Sequence, residues 1–267
     1  MPIRRRSAGR FPQKIFMSKN KKAVDGTAWW AVLFWLIVWE IVSRVIGMDI
    51  ILVSPVRVVT QWMRLATEGA FWHSVFVSLY RIMGGFLIAL VAGTLFAAAS
   101  SRSPFIRALL KPFMVTIRAV PVASFIVLAL ILFSTKTLST LIAFLMATPV
   151  VYAGVLTGIA ETDKELLEAA DVNGAGTLGR MRYVYAPSMW EGYVSACKTA
   201  MGLSWKAGIA AEVIGMPQNT IGAHLRDAKT YLDTPSLFAW TLTIVLLSLL
   251  TEKLFTALTG YMQRWFC

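Results

Sequence analysis

Histidine and cysteine are nearly missing from this chain: its 267 residues hold two of each. Cys197 lies in an apolar run and Cys267 at the terminus, which argues for neither a disulfide framework nor a metal site. His73 and His224 alone would supply a triad or a histidine metal centre poorly, and no loop gathers a His/Asp/Glu cluster. Neither an enzyme active site nor a bound metal is therefore expected. A G-x4-G-K-[ST] phosphate loop is absent too, so the chain is not expected to hydrolyse ATP on its own. Charge is sparse, at 15% of residues, and unbalanced, with 26 Lys and Arg against 14 Asp and Glu. The opening MPIRRRSAGRFPQKIFMSKNKK is basic, but the short apolar core and small-residue cleavage site of a signal peptide do not follow it. Residues 1–27 are expected to remain as a basic arm, with one domain over 28–267.

What the chain has in excess is apolar sequence. Hydrophobic residues make up 57% of it, and the mean hydropathy of +0.64 exceeds what a soluble domain can bury. A helix crosses the hydrocarbon core with about 20 apolar residues. Segments 28–48, 76–101, 119–135, 137–160 and 234–256 reach or approach that length with few charges. Segment 187–213 is apolar overall despite Glu191, Lys198, Lys206 and Glu212. Backbone groups cannot stay unpaired in lipid, and the ~10-residue alternation of a barrel is missing. The expected fold is an all-α integral membrane protein with six transmembrane helices.

Basic residues set its orientation. Arg4, Arg5, Arg6, Arg10, Lys14, Lys19, Lys21 and Lys22 fill the arm. Arg102, Arg107, Lys111 and Arg118 occupy the next segment on that side, Lys164, Arg180 and Arg182 the third, and Arg264 the tail. The opposite side holds Arg57, Arg64, Lys136, Arg226 and Lys229. That bias places both termini in the cytoplasm. The net charge of +12 then reflects loops facing anionic lipid, not a nucleic-acid partner.

Ser54-Pro55 reads as a helix start, after which Val59, Trp62, Met63 and Ala66 share a face, as in a short helix lying in the membrane interface. The loop 214–233, with Gly215, Pro217, Asn219 and Gly222, reads as irregular, polar and placed to cover an outer opening. Glu40 and Arg44, four apart, read as a structural ion pair. Trp29, Trp30, Trp35 and Trp39 read as interfacial and packing aromatics. Lys198, Met201, Trp205, Gly208 and Glu212 recur at three- and four-residue spacing on one face of the fifth span, a face too polar for lipid. Two roles are open for it. With Arg81 it lines a translocation pathway, in which Arg81 or Lys198 favours anions; or Lys198 and Lys206 neutralise Glu212 or Glu191 within the bundle.

The stretch EAADVNGAGTLGRMRYVYAP, 168–187, carries two overlapping patterns. Gly174, Gly176 and Gly179 spell G-x-G-x-x-G, the mark of a dinucleotide turn, but that turn needs a buried strand before it and a βαβ unit around it. KELLEAADVN precedes it instead, and the loop 161–186 has no room for a sheet. The spacing predicts a short helix capped by Thr162 or Asp163, ended at Asn173-Gly174, and a second helix about Thr177–Tyr185 leading to Pro187. The result is a helical knuckle whose alanines leave the backbone near the surface.

Glu168-Ala169-Ala170, Gly174 and Val184-x-Ala186-Pro187 resemble the EAA motif of ABC importer permeases, E-A-A-x3-G-x9-I-x-L-P, with the spacing intact and Ala186 replacing the usual leucine. Ser78-Leu79-x-Arg81-x3-Gly85-Phe86, Arg118-x2-Pro121 and Ser204-Trp205-x5-Ala211-Glu212 look like the nitrate, sulfonate, taurine and bicarbonate branch, which also contains pyrimidine-precursor transporters. The resemblance runs from about residue 28 to the end. It implies a multi-pass permease of a prokaryotic inner membrane that pairs with a second permease copy and works on two cytoplasmic ABC ATPase subunits. An extracytoplasmic solute-binding protein would feed it, and ATP and magnesium would be held by the ATPases rather than by this chain. Glu168, Ala169, Ala170, Gly174 and Pro187 would then form the coupling element, and the solute would be a small anion or organic molecule. A secondary transporter or channel is the rival; it would need broken, repeated half-helices, for which Pro121 and Pro149 are the only candidates.

Overall fold

The computed structural model describes residues 29–263; the arm expected at 1–27, Arg264 and Cys267 lie outside the described residues. The described residues form helices and connections, with no strand among them. In order they are α1 (Trp29–Ile46), α2 (Pro55–Ala66), α3 (Gly69–Arg102), α4 (Pro104–Ala119), α5 (Val122–Leu132) and α6 (Thr135–Ala160). Then come α7 (Lys164–Val172), α8 (Thr177–Arg180), a π turn (Met181–Tyr185), α9 (Ala186–Gly215), α10 (Ile221–Thr230) and α11 (Thr234–Gln263). Helices α1, α3, α6 and α11 are long and apolar enough to cross a membrane, and α4 with α5 adds a fifth candidate if the bent pair counts as one span.

Helix α6 is the hub, packed along α3 on one side and α9 on the other. Without a hydrophobic force between helices in lipid, close packing has to hold them, and small residues permit it. A Cβ on Gly85 of α3 would strike the Thr140 carbonyl of α6, so glycine here sets how near the two backbones come. Ile82, Phe86, Val151, Val155 and Trp205 fill the seam. A polar tie crosses it as well, with the Tyr152 hydroxyl 3.1 Å from Ser100 Oγ, and the Trp205 indole of α9 donates to Thr251 Oγ1 of α11 at 3.0 Å, which fastens the seam to α11. Helix α1, by contrast, buries only Ser43. Trp29, Trp30 and Trp35 are exposed, while Trp39 donates to the Val53 carbonyl at 3.0 Å and rests on Phe238. The Glu40–Arg44 pair forms at 2.7 Å.

Three expectations need correction. The span expected at 119–135 is not one helix: α4 and α5 are bent by 108° at Pro121. Proline lacks an N–H and holds the residue before it extended, as Val120 is here, so the ladder stops. The 11 residues of α5 then reach about 16 Å, roughly half the hydrocarbon core. Second, the basic segment 102–118 is no loop. Ser103 caps α4 at Ile106 N–H, Pro104 opens it, and Met114 and Ile117 bury its inner side. Arg118 therefore reaches the Pro149 carbonyl in the middle of α6. Third, α2 forms with its Ser54 cap, yet Val59 and Met63 point outward while Val58 is buried. Gln61 and Trp62 donate to Ser236 and Thr243 of α11, at 3.0 and 3.1 Å. The hydroxyl edge of α11 decides which face of α2 packs.

Candidate functional site

The knuckle begins at Asp163, whose Oδ1 accepts from the Glu165 N–H at 2.9 Å. Thr162, the other candidate cap, is buried and donates to the Gly158 carbonyl instead. Helix α7 closes in the left-handed region that glycine enters freely: Gly174 has φ of +69°. The Ala175 N–H then reaches back five residues to the Ala170 carbonyl at 2.9 Å, the bond that satisfies a glycine-ended helix. The second helix is not a separate element, as the spacing suggested. It runs through the π turn into α9 without a break, because the ring of Pro187 crowds the carbonyl four residues before it and the wider turn absorbs it. Ala186 N–H bonds five back to Met181 accordingly.

Glu168, Ala169 and Gly174 are exposed, and Ala170 and Pro187 half-buried. The main neighbour of α7 is the π turn, so the helix stands off the bundle. Val172 is 89% exposed and Leu166 51% on α7, and Tyr183 of the π turn is 74% exposed, so large apolar side chains lie uncovered on a protrusion too brief to be stable by itself.

The face of α9 picked out by spacing is brought together, but inside the chain. Met201, Trp205, Gly208 and Glu212 are buried, Gly208 against Ile82 of α3, while Lys198 and Arg81 are half-buried. Glu212 Oε2 accepts from Ser78 Oγ at 2.8 Å and from the Gly222 N–H at 3.2 Å. Ser78 in turn accepts from the Ile221 N–H at 3.0 Å. These two side chains satisfy the first donors of α10, which Thr220 also caps at Ala223. The loop 214–233 is thus no irregular cover: left-handed Met216 and Asn219 turn the chain, and α10 folds back onto α9, α11 and α3. A Cβ on Gly222 would collide with Glu212. His224 of α10 stacks on Trp240 at 4.7 Å and bonds Ser74 Oγ at 2.9 Å; burial lowers its pKa, partly offset by the charge of Asp227.

One feature escaped the reading of the sequence. Between α4 and α6 lies a cleft of about 520 Å³ lined on the α4 side by Arg107, Lys111 and Arg118, and on the α6 side by Tyr152 and Thr157. Their spacing of four and seven residues was the available signal, hidden once the three were counted as loop charge. Among the described residues no metal-binding group of His, Cys, Asp and Glu occurs.

A multi-pass helical membrane protein with a protruding helical loop is the class these features define. Residues 85–264 match the family described as the binding-protein-dependent transport system inner membrane component, and the chain belongs to that family. It is similar to the taurine transport system permease protein of Escherichia coli, 24% identical over 269 residues, covering 98% of this chain and 94% of that one. A probable ABC transporter permease protein of Brucella melitensis is 26% identical over 221 residues, 81% of this chain and 88% of the relative. The nitrate import permease protein of Synechococcus elongatus is 25% identical over 204 residues, 72% of each. Members of this family are transporters, not enzymes.

Proposed function

We propose that this chain is the translocating subunit of an ATP-driven importer and that α7 with Gly174 is the handle by which cytoplasmic ATPases move it. The observation that carries the reading is that Leu166 and Val172 of α7 and Tyr183 of the π turn are left uncovered where α7 stands off the bundle. An apolar protrusion of this kind calls for a groove on another protein. Glu168, Ala169, Ala170 and Gly174 form the docking surface in this account, and Pro187 sets the rigid junction that passes displacement into α9. Two ATPase subunits bind ATP and magnesium, a second copy completes the pathway, and an extracytoplasmic binding protein delivers solute. Differential ATP affinity between two arrangements of the assembly supplies the drive.

The proposed topology has six spans with both termini cytoplasmic. Helix α9 is the sixth: at 30 residues it is about 45 Å long, and Ser204 and Glu212 are covered by neighbours, while Glu191 and Lys206 are exposed on its other faces. Met201, Trp205, Gly208 and Glu212 then form the wall behind the pathway, while half-buried Lys198 and Arg81 stand at its edge. The relatives' names include taurine, nitrate, riboflavin and formylaminopyrimidine, which supports a small anion or organic solute.

The test is co-purification of the chain with its ATPase subunit, followed by ATPase stimulation in liposomes. Gly174→Leu is expected to abolish stimulation while the permease stays folded. Full stimulation in that variant would overturn the docking account, and solute movement by the purified chain alone would favour a secondary transporter.

A further inference from the structure

We propose that Glu212 of α9, Ser139 of α6 and Arg81 of α3 enclose a binding site for one internal water molecule, which fastens these three helices to the start of α10. The site is set by buried polar atoms and owes nothing to the importer reading.

Glu212 is fully buried, and only half of its carboxylate is used. Oε2 accepts from Ser78 Oγ at 2.8 Å and from the Gly222 N–H at 3.2 Å, while Oε1 has no hydrogen-bond partner. Ser139, equally buried, faces that carboxylate from α6, and its Oγ closes no hydrogen bond. Arg81 stands about one turn from Ser78 on α3, near enough for its charge to act on Glu212. The two form no ion pair, and the buried Nη1 of Arg81 has no partner. Buried polar atoms in that condition are rare in folded proteins. Among the described residues there are five on side chains, and three of them meet around this one carboxylate. Unrelated packing flaws would not gather so.

The three atoms need different things. The carboxylate Oε1 accepts, the guanidinium Nη1 only donates, and the Ser139 hydroxyl does either. A water among them donates to Oε1, accepts from Nη1 and takes Ser139 as its third partner, the usual number for an internal water. Polar groups that face each other beyond direct reach are what such a water bridges. A cation fits worse. Arg81 already brings positive charge, and Oε1 with Ser139 Oγ offers two oxygens where hard cations take about six.

The position matters for α10. Its first donors end on Ser78 and Glu212, so the direction of the Glu212 carboxylate decides whether α10 stays docked on the long helices. Tied through water to α3 and α6, that carboxylate cannot turn away from Gly222.

The test uses the full chain in nanodiscs. Hydrogen exchange over 220–230 is followed by mass spectrometry in Ser139→Ala, Arg81→Met and the double variant, with size exclusion checking the fold. Removing a hydroxyl that bonds nothing would be neutral or protective. A hydroxyl that holds the water should instead be missed, and Ser139→Ala should speed exchange by about fivefold. Arg81→Met should act likewise, and the double variant should be little faster than the faster single one, because each loses the same water. Unchanged or slower exchange in Ser139→Ala would overturn the inference, as would effects that multiply in the double variant. Exchange that slows when sodium replaces choline in the buffer would overturn it too, since a cation would then be the occupant. If a variant fails to fold, a density map of the parent chain sharp enough to show ordered water decides. Density within hydrogen-bond distance of all three atoms is expected; a direct contact of Glu212 with Ser139 or Arg81, and nothing between them, would refute the site.

Discussion

The α3–α6–α9 seam and the α7 knuckle are built by opposite rules. In the seam, backbones approach until Gly85 meets the Thr140 carbonyl, and even polar side chains such as Glu212 and Trp205 are bonded within the chain. In the knuckle a nine-residue helix is closed at both ends by its own caps yet leaves Val172 and Leu166 bare. The seam finds most of its partners within the chain, although Ser139 Oγ and Glu212 Oε1 are buried without a hydrogen bond. The knuckle has a finished backbone and an unfinished surface, the arrangement of a part whose partner is another protein. Substitutions should therefore act on stability in one region and on assembly in the other.

The largest effect is expected from Gly85→Leu, which forces side-chain atoms into α6 backbone and should cost about 3 kcal/mol or more. Loss of folded yield in detergent, read by size-exclusion and thermal unfolding, checks it; a well-folded variant would mean the seam is looser than described. Next, Glu212→Ala leaves the Ser78 hydroxyl and the Gly222 N–H of α10 without their acceptor, at about 1–3 kcal/mol for each buried orphan. Faster hydrogen exchange confined to 220–230 is the expected signature, and unchanged protection there would sink the idea that Glu212 holds α10.

Val172→Ser should change melting by no more than about 0.5 kcal/mol, as at other exposed positions, while weakening ATPase association severalfold in pull-down titrations. Equal weakening of both would erase the contrast between the regions. The smallest effect concerns His224. Its folded pKa is lowered by burial, so below its ordinary 6.5 the unfolded chain takes a proton that the folded chain refuses. Stability is whole above that pH and declines as pH falls toward the lowered value. His224→Gln should flatten this slope in melting curves between pH 7 and 5 (an interval set by the ordinary histidine range); an unchanged slope would assign it to other groups.

How much of this was legible beforehand differs by element. The turn at Gly174, the Ser54 cap and the Glu40–Arg44 pair were readable because each depends on residues within about one helical turn. The polar face of α9 was readable as a face, but its direction was not, since periodicity says which residues align and not what they meet. Arg107, Lys111 and Arg118 misled for the reverse reason: a census of charge treats a basic stretch as loop, whereas the caps at Ser103 and the apolar Met114 and Ile117 make it helix.

By itself the sequence determined a membrane-embedded helical chain, the glycine-ended knuckle and its family resemblance, because apolar run length and local capping need no distant partner. Only the tertiary structure decided that α10 folds back onto Glu212 and that three cations climb beside α6. Those outcomes depend on contacts between residues tens to more than a hundred positions apart, as in Ser78 with Glu212 or Arg118 with Pro149, and no local pattern encodes which of them will meet.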